Sequence, residues 1–128
     1  SAITSSMHNP TYDRRTLQSI SQELRNKEYD NMRNHYVELT GIPRGIIDIS
    51  IGDNLRTYSF VICEDNLLAH VYFSPVLLTT GRPIHTFLKA ASEIPKSVDI
   101  KAVLDSSSNS TQLFFSATEV KIGDFSFE

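Results

Sequence analysis

The 128-residue chain has one cysteine, Cys63, and only five glycines and five prolines. A lone thiol closes no intrachain disulfide, so the fold does not depend on an oxidising compartment. Long apolar runs are missing: none approaches the roughly 18 residues needed to span a bilayer. Residues 1–6 have neither a basic start nor an apolar stretch, so no secretion signal is expected. Together these absences favour an intracellular setting, cytoplasmic or nuclear, with no membrane partner. Positive charge is not in excess either, since twelve Lys and Arg face fifteen Asp and Glu for a net charge of −3. Domains that grip duplex nucleic acid usually carry a basic surplus, which argues against nucleic acid as the partner. Nor is there a P-loop, a GxGxxG, a GxSxG, an HExxH or an EF-hand loop, so no cofactor is expected and nothing argues for an enzyme.

What remains is an ordinary globular composition, 40% apolar and 21% charged, long enough to bury one core without staples. Residues 1–9 read as an unstructured arm or a remnant of expression, and residues 10–128 as a single α+β domain. Asn9-Pro10 suits a helix start, and Asp13 is a second capping candidate. From there to Leu39 the spacing predicts a long helix. Leu17, Ile20 and Leu24 form one stripe, and Tyr29, Met32, Tyr36 and Leu39 another, with a kink, a bulge or a break into two consecutive helices at residues 25–28 where the stripe slips. Gly41 and Ile42-Pro43 end it. Three strands then follow. Ile47, Ile49 and Ile51 alternate with polar neighbours and read as facing inward. Residues 56–63 are rich in β-branched and aromatic side chains, and residues 67–73 close at Ser74-Pro75. Turn residues, Gly52-Asp53-Asn54 and Glu64-Asp65-Asn66, make these a meander. Val76-Leu77-Leu78 is either a short strand or a buried linker.

The second half begins near Thr80 or Gly81. A helix follows, with Ile84, Phe87, Leu88 and Ala91 on one face, ended by Pro95. Strands are expected over 98–104, 111–118 and 120–127, with a flexible polar loop at 105–110 and a bulge at Gly123. The halves share the order helix, Ile-Pro-basic, Asp-Ile strand, so the sequence reads as duplicated α-β-β-β units, 10–75 and 80–128. Their six strands would form a mostly antiparallel sheet packed by two helices. The α-β-β-β-α order of the first ninety residues also resembles a double-stranded RNA-binding domain. That family grips phosphate with lysines at its second helix, and Gly81-Arg82-Pro83-Ile84-His85 has no lysine pair, which rules the assignment out.

Candidate sites follow from these faces. A middle strand apolar on both sides and an aromatic last strand point to an interface at Tyr58, Phe60, Phe125 and Phe127. They suggest a non-catalytic interaction or assembly module, bound to another protein or to a second copy of itself through a sheet edge or face. An enzyme or ligand-binding alternative places a pocket between sheet and long helix near Tyr29, His35, Tyr58 and His70. A second alternative binds nucleic acid through the long helix with Arg44, Arg56 and Arg82. The four histidines, His8, His35, His70 and His85, have no metal-site spacing. Cys63 reads as a small buried hydrophobe. Asp48, Asp53, Glu64, Asp65, Asp99 and Asp105 read as turn residues.

Overall fold

The computed structural model describes residues 11–26, 36–51, 55–75 and 84–128. The predicted helix start at Asn9-Pro10 lies outside these residues. So do His8, Tyr29, Met32, His35, the Gly52-Asp53-Asn54 turn, Val76-Leu77-Leu78, Thr80, Gly81 and Arg82. A two-residue strand, β1 (Asp13–Arg14), leads to helix α1 (Leu17–Arg25), which the Thr16 hydroxyl caps by accepting from the Ser19 amide. Leu17, Ile20 and Leu24 are buried as the spacing predicts, but the helix stops at Arg25. Tyr36 and Leu39 belong to a strand, β2 (Tyr36–Gly41), not to a long N-terminal helix. The segment Tyr-Val-Glu-Leu-Thr satisfies period 2 as well as period 3.6. Pairing with a distant strand, β6 (Val98–Leu104), decides between them, because it satisfies the backbone groups along one edge of the segment, and β1 pairs the other edge at Val37 and Glu38.

Ile42-Pro43 ends a ladder rather than a helix. Proline has no N–H to donate, so pairing must change partner there. Before it the chain pairs with β6. After it the strand β3 (Arg44–Ile51) pairs with β4 (Leu55–Glu64). Gly45, at φ 58°, forms the bulge that re-aims β3. β4 continues into β5 (Leu67–Phe73) through a tight turn at Asp65, itself at φ 53°. Helix α2 (Ile84–Glu93) follows, with Ile84, Leu88 and Ala91 buried. β6 then pairs antiparallel with β7 (Gln112–Ile122), which turns at Gly123, φ 61°, into β8 (Phe125–Phe127). Gly123 thus makes a hairpin turn rather than a bulge.

The sheet runs β1-β2-β6-β7-β5-β4-β3. Its two ends meet, because β2 and β3 are successive halves of one bent strand. An ideal Cβ on Gly41 would lie 2.8 Å from the Ile62 Cβ, so the bend sits directly against β4. The result is a closed barrel of five strands, counting β2 and β3 as one. Its last strand runs parallel to the third, and a helix separates strands three and four. That is the OB-fold plan. It overturns the expected duplicated α-β-β-β units and their six-stranded sheet: the sheet has eight strands and is mixed, with parallel pairs β1–β2 and β5–β7 among mostly antiparallel ones. The likeness of the halves was local, and the parallel pairing of β5 with β7 breaks any equivalence between them.

Closure also explains the pattern of side chains. Tyr58, Phe60, Ile62, Ala69, Val71, Phe73, Leu113 and Phe115 alternate inward and fill the barrel. Ile47 and Ile49 of β3 do the reverse of what their alternation suggests. Ile47 and Ile49 are 55% and 42% exposed on the outside, and Ile46, beside the Gly45 bulge, packs on the core instead. α1 is pinned by its Leu17 amide, which donates to the Glu64 carboxylate at 2.7 Å, and by the Ser21 hydroxyl, which donates to the Ser110 carbonyl. α2 packs against β3, and its Phe87 lies between Phe125 and Phe127 at ring distances of 5.0 and 5.4 Å. No helix among the described residues is long and apolar enough to cross a membrane.

Candidate functional site

A strand inside a small barrel has one face in the core and the other in solvent. On β4, β5 and β7 the outward set is Thr57, Ser59, Val61 and Cys63, then Leu68, His70 and Tyr72, then Gln112, Phe114 and Ser116. Register assembles them into rows across the strands. Arg44, Val61, His70 and Phe114 form one row, and Ile47, Ser59, Tyr72 and Ser116 the next. In the first row the rings of His70 and Phe114 stack, 5.0 Å apart and 17° from parallel. In the second, Tyr72 is 42% exposed with a serine on each neighbouring strand. Thr57 and Ser74 share a hydrogen bond of 2.9 Å beyond it. The surface therefore offers flat apolar rings with hydroxyls at their sides.

One border of this face is the loop over residues 105–111, and its own side chains build it. The Asp105 carboxylate accepts from the Ser107 hydroxyl and, at 3.0 Å, from the Ser107 amide. These bonds, the hydroxyl first, hold its carboxyl below the usual aspartate range. The Asn109 Oδ1 accepts from the Thr111 amide at 2.9 Å, its hydroxyl at 2.7 Å and the Gln112 amide at 2.9 Å. Ser108 is buried and both donates to the Phe114 carbonyl and accepts from the Phe114 amide, at 3.1 and 2.9 Å. A loop that reads as flexible from its serines is instead tied to the strand that carries the aromatic stack.

The opposite outer face, on β2, β6 and β7, differs in character. There Glu38, Asp99, Lys101, Glu119, Lys121 and Ser126 line a cleft of about 340 Å³. Lys101 meets Glu119 at 3.3 Å and lies 5.5 Å from the centre of the Tyr12 ring. The bond to Glu119 is the main reason the Lys101 ammonium is held above its usual range. Burial by itself would push Glu119 up, but the Ser126 hydroxyl and Lys101 outweigh it and hold the carboxyl down. Arg14 bridges to Glu38 at 2.6 Å. Charges here neutralise one another and leave no field of one sign.

The expected site residues fall on different sides of this architecture. Tyr58 and Phe60 point into the barrel, 2% and 0% exposed, and Phe127 is 4% exposed. Phe125 is partly exposed beside Phe87. Of the pocket candidates, Tyr29 and His35 lie outside the described residues. Tyr58 and His70 occupy opposite faces of the same sheet and cannot line one cavity. Cys63 is exposed, on the outer face, because the strand alternation places it opposite Ile62. Sequence reasoning passed over Tyr72, Phe114 and Ser116. Their signal was the alternation of Phe114 with Phe115, legible only once one face is known to be bare. Among the described residues no three His, Cys, Asp or Glu side chains converge as a metal site requires.

No family model and no curated protein matches the chain. Solved structures do. The crystal structure of yeast Stn1 and Ten1 superposes with a TM-score of 0.58 at 17% identity, over 95% of this chain and 68% of that one. A provisionally assigned aspartyl-tRNA synthetase from Leishmania major Friedlin gives 0.49 at 11%, over 91% of this chain and 21% of that one. A provisionally assigned nucleic acid-binding lipoprotein from Klebsiella pneumoniae gives 0.48 at 12%, over 91% and 92%. At such identity the first likeness is one of fold alone. It agrees with the barrel derived from the strand order.

Proposed function

We propose that this chain binds single-stranded nucleic acid on the outer face of β4, β5 and β7. OB barrels take oligonucleotides on the face of their second and third strands, flanked by the loop between the fourth and fifth. Here those strands are β4 and β5, and that loop spans residues 105–111. The observation that carries the reading is the stacked pair His70 and Phe114 beside exposed Tyr72. Bases stack on such rings regardless of sequence, for about 1–3 kcal/mol each. Ser59 and Ser116 flank Tyr72 and can bond base edges or sugar hydroxyls.

This replaces the expectation of a protein-interaction module joined to another protein or to its own copy, with nucleic acid disfavoured. That expectation needed a middle strand covered on both faces. The main strands instead close into a barrel, so β4 has one face in the core and the other toward solvent, and the short β8 pairs with β7 at the margin. The net charge of −3 argued against a duplex grip, and a stacking platform does not depend on one. The long helix through which the second alternative would have bound is not formed, since α1 ends at Arg25. Fluorescence anisotropy with labelled single strands and with a matched duplex tests the reading. Single strands are expected to bind more tightly than the duplex. Failure of single strands to bind, or equal binding of the duplex, sinks it.

A further inference from the structure

The row that begins at the aromatic stack does not end at the edge of the apolar surface. From Phe114 it passes His70 and Val61 to Arg44, three strand spacings or about 14–15 Å away. Arg44 is exposed, and its guanidinium donates to the Ser92 carbonyl of α2 at 3.2 Å. A guanidinium has five N–H donors, so this bond leaves others for a ligand. Beside it, Gly45, Ile46, His85, Lys89, Ser92 and Glu93 line a cleft of about 340 Å³. His85 and Lys89 stand one helical turn apart on α2, on the side facing the bulge. Lys89 has no ion-pair partner among the described residues, unlike Lys101 and Arg14 on the other face. A Cβ on Gly45 would meet nothing within 4 Å, so the floor of the cleft is open backbone.

The His85 Nδ1 adds a second observation. It is a buried side-chain atom with no hydrogen-bond partner among the described residues. A buried polar atom left unpaired is costly. A phosphate oxygen entering the cleft, with a rotation of the imidazole ring, would give it one. Within the cleft Lys89 and Glu93 balance, and Arg44 beside it tips the corner cationic, whereas the furrow on β2, β6 and β7 is balanced.

We infer that the cleft between the β3 bulge and α2 is a phosphate-binding corner of the nucleic-acid footprint, held by Arg44 and Lys89 with His85. This rests on the single-strand reading above and extends it. The bound strand leaves the stacking platform across Val61 and delivers its backbone to α2, an element outside the OB stacking face. Short strands occupy the platform alone, and longer ones reach the corner as well.

The test is anisotropy with oligothymidylates of about 4 and about 12 nucleotides, the range of OB site sizes, titrated at several salt concentrations. The wild type is compared with Lys89→Ala, Arg44→Ala and, from the opposite face, Lys121→Ala. Lys89 is exposed on a helix, so its variant folds even where loss of Arg44 disturbs the bulge. The longer strand is expected to lose about 0.7 from its log–log salt slope in each of the first two variants, the value of one phosphate contact on single strands. The short strand and Lys121→Ala keep wild-type slopes. Unchanged slopes in Lys89→Ala and Arg44→Ala, while the wild type still binds, overturn the corner and leave the platform standing. So does an equal loss for short and long strands. Absence of single-strand binding by the wild type overturns both.

Discussion

His70 on β5 and Phe114 on β7 stand directly opposite each other in a parallel pair, their rings stacked at 5.0 Å on the outside of the barrel. Parallel neighbours need a crossover connection, and here it is α2 together with β6. The stack therefore exists only because the chain wraps fully around its core.

Removing the rings should separate binding from stability. Phe114→Ala and Tyr72→Ala are each expected to lower single-strand affinity about 5- to 150-fold, the equivalent of about 1–3 kcal/mol of stacking. Both side chains face outward, so the melting temperature should move little. Anisotropy and calorimetry on the same samples decide. A large melting shift with unchanged affinity would contradict the platform.

Gly41 offers a test of the closure. Its strand bends against β4, and an ideal Cβ there lies 2.8 Å from the Ile62 Cβ and 3.0 Å from its Cγ2. Gly41→Ala should destabilise by about 1–3 kcal/mol through overpacking. Adding Ile62→Val should not rescue it, because valine keeps both close carbons. Thermal or urea denaturation measures the effect.

Ser108 should matter more than a loop serine usually does. Ser108→Ala deprives the Phe114 amide and carbonyl of the hydroxyl that meets both. The carbonyl keeps the Asp105 amide at 2.8 Å, but leaving the Phe114 amide unpaired is expected to cost about 1–3 kcal/mol. Amide exchange of Phe114 should quicken, and single-strand affinity should fall as the border of the face loosens. Substituting exposed Ser106 should do neither.

Acid should weaken the fold in a definite window. Asp105 and Glu119 titrate below their ordinary values of 3.8 and 4.5 in the folded protein. Their contributions are therefore present above the unfolded values and lost as pH falls through the folded ones. Lys101 has the opposite sign: its value is raised, so its contribution holds below 10.5 and fades at more alkaline pH. Asp105→Asn should lower the melting temperature at neutral pH, and the difference from wild type should shrink as pH falls below 3.8 and vanish once the carboxyl is protonated in the folded protein as well. Both carboxylates meet solvent, so the expected shift is small. A difference that persists unchanged through that window would assign the effect to something other than the charge.

Much of the local structure was legible in the residues. Leu17, Ile20 and Leu24 marked α1; Ile84, Leu88 and Ala91 marked α2; and the alternation of residues 56–63 and 67–73 marked β4 and β5. Each of those signals depends on side chains a few positions apart, which a linear pattern records directly. Tyr36 and Leu39 were misread because six residues fit either period, and the partner that decides between them, β6, lies some sixty residues away. The candidate site was less legible still. Phe114 and Phe115 look alike in a row of letters, yet one lines the core and the other meets solvent.

The amino-acid order by itself marked the apolar stripes of both helices, though not where α1 ends, along with most strands and the break at Pro43. Tertiary structure alone decided that the bent strand closes a barrel, that β5 runs beside β7, and therefore which face of each strand stays bare. The reason is physical. Backbone hydrogen bonds in a sheet go to whichever distant strand arrives, and closure converts a greasy alternation into an inside and an outside.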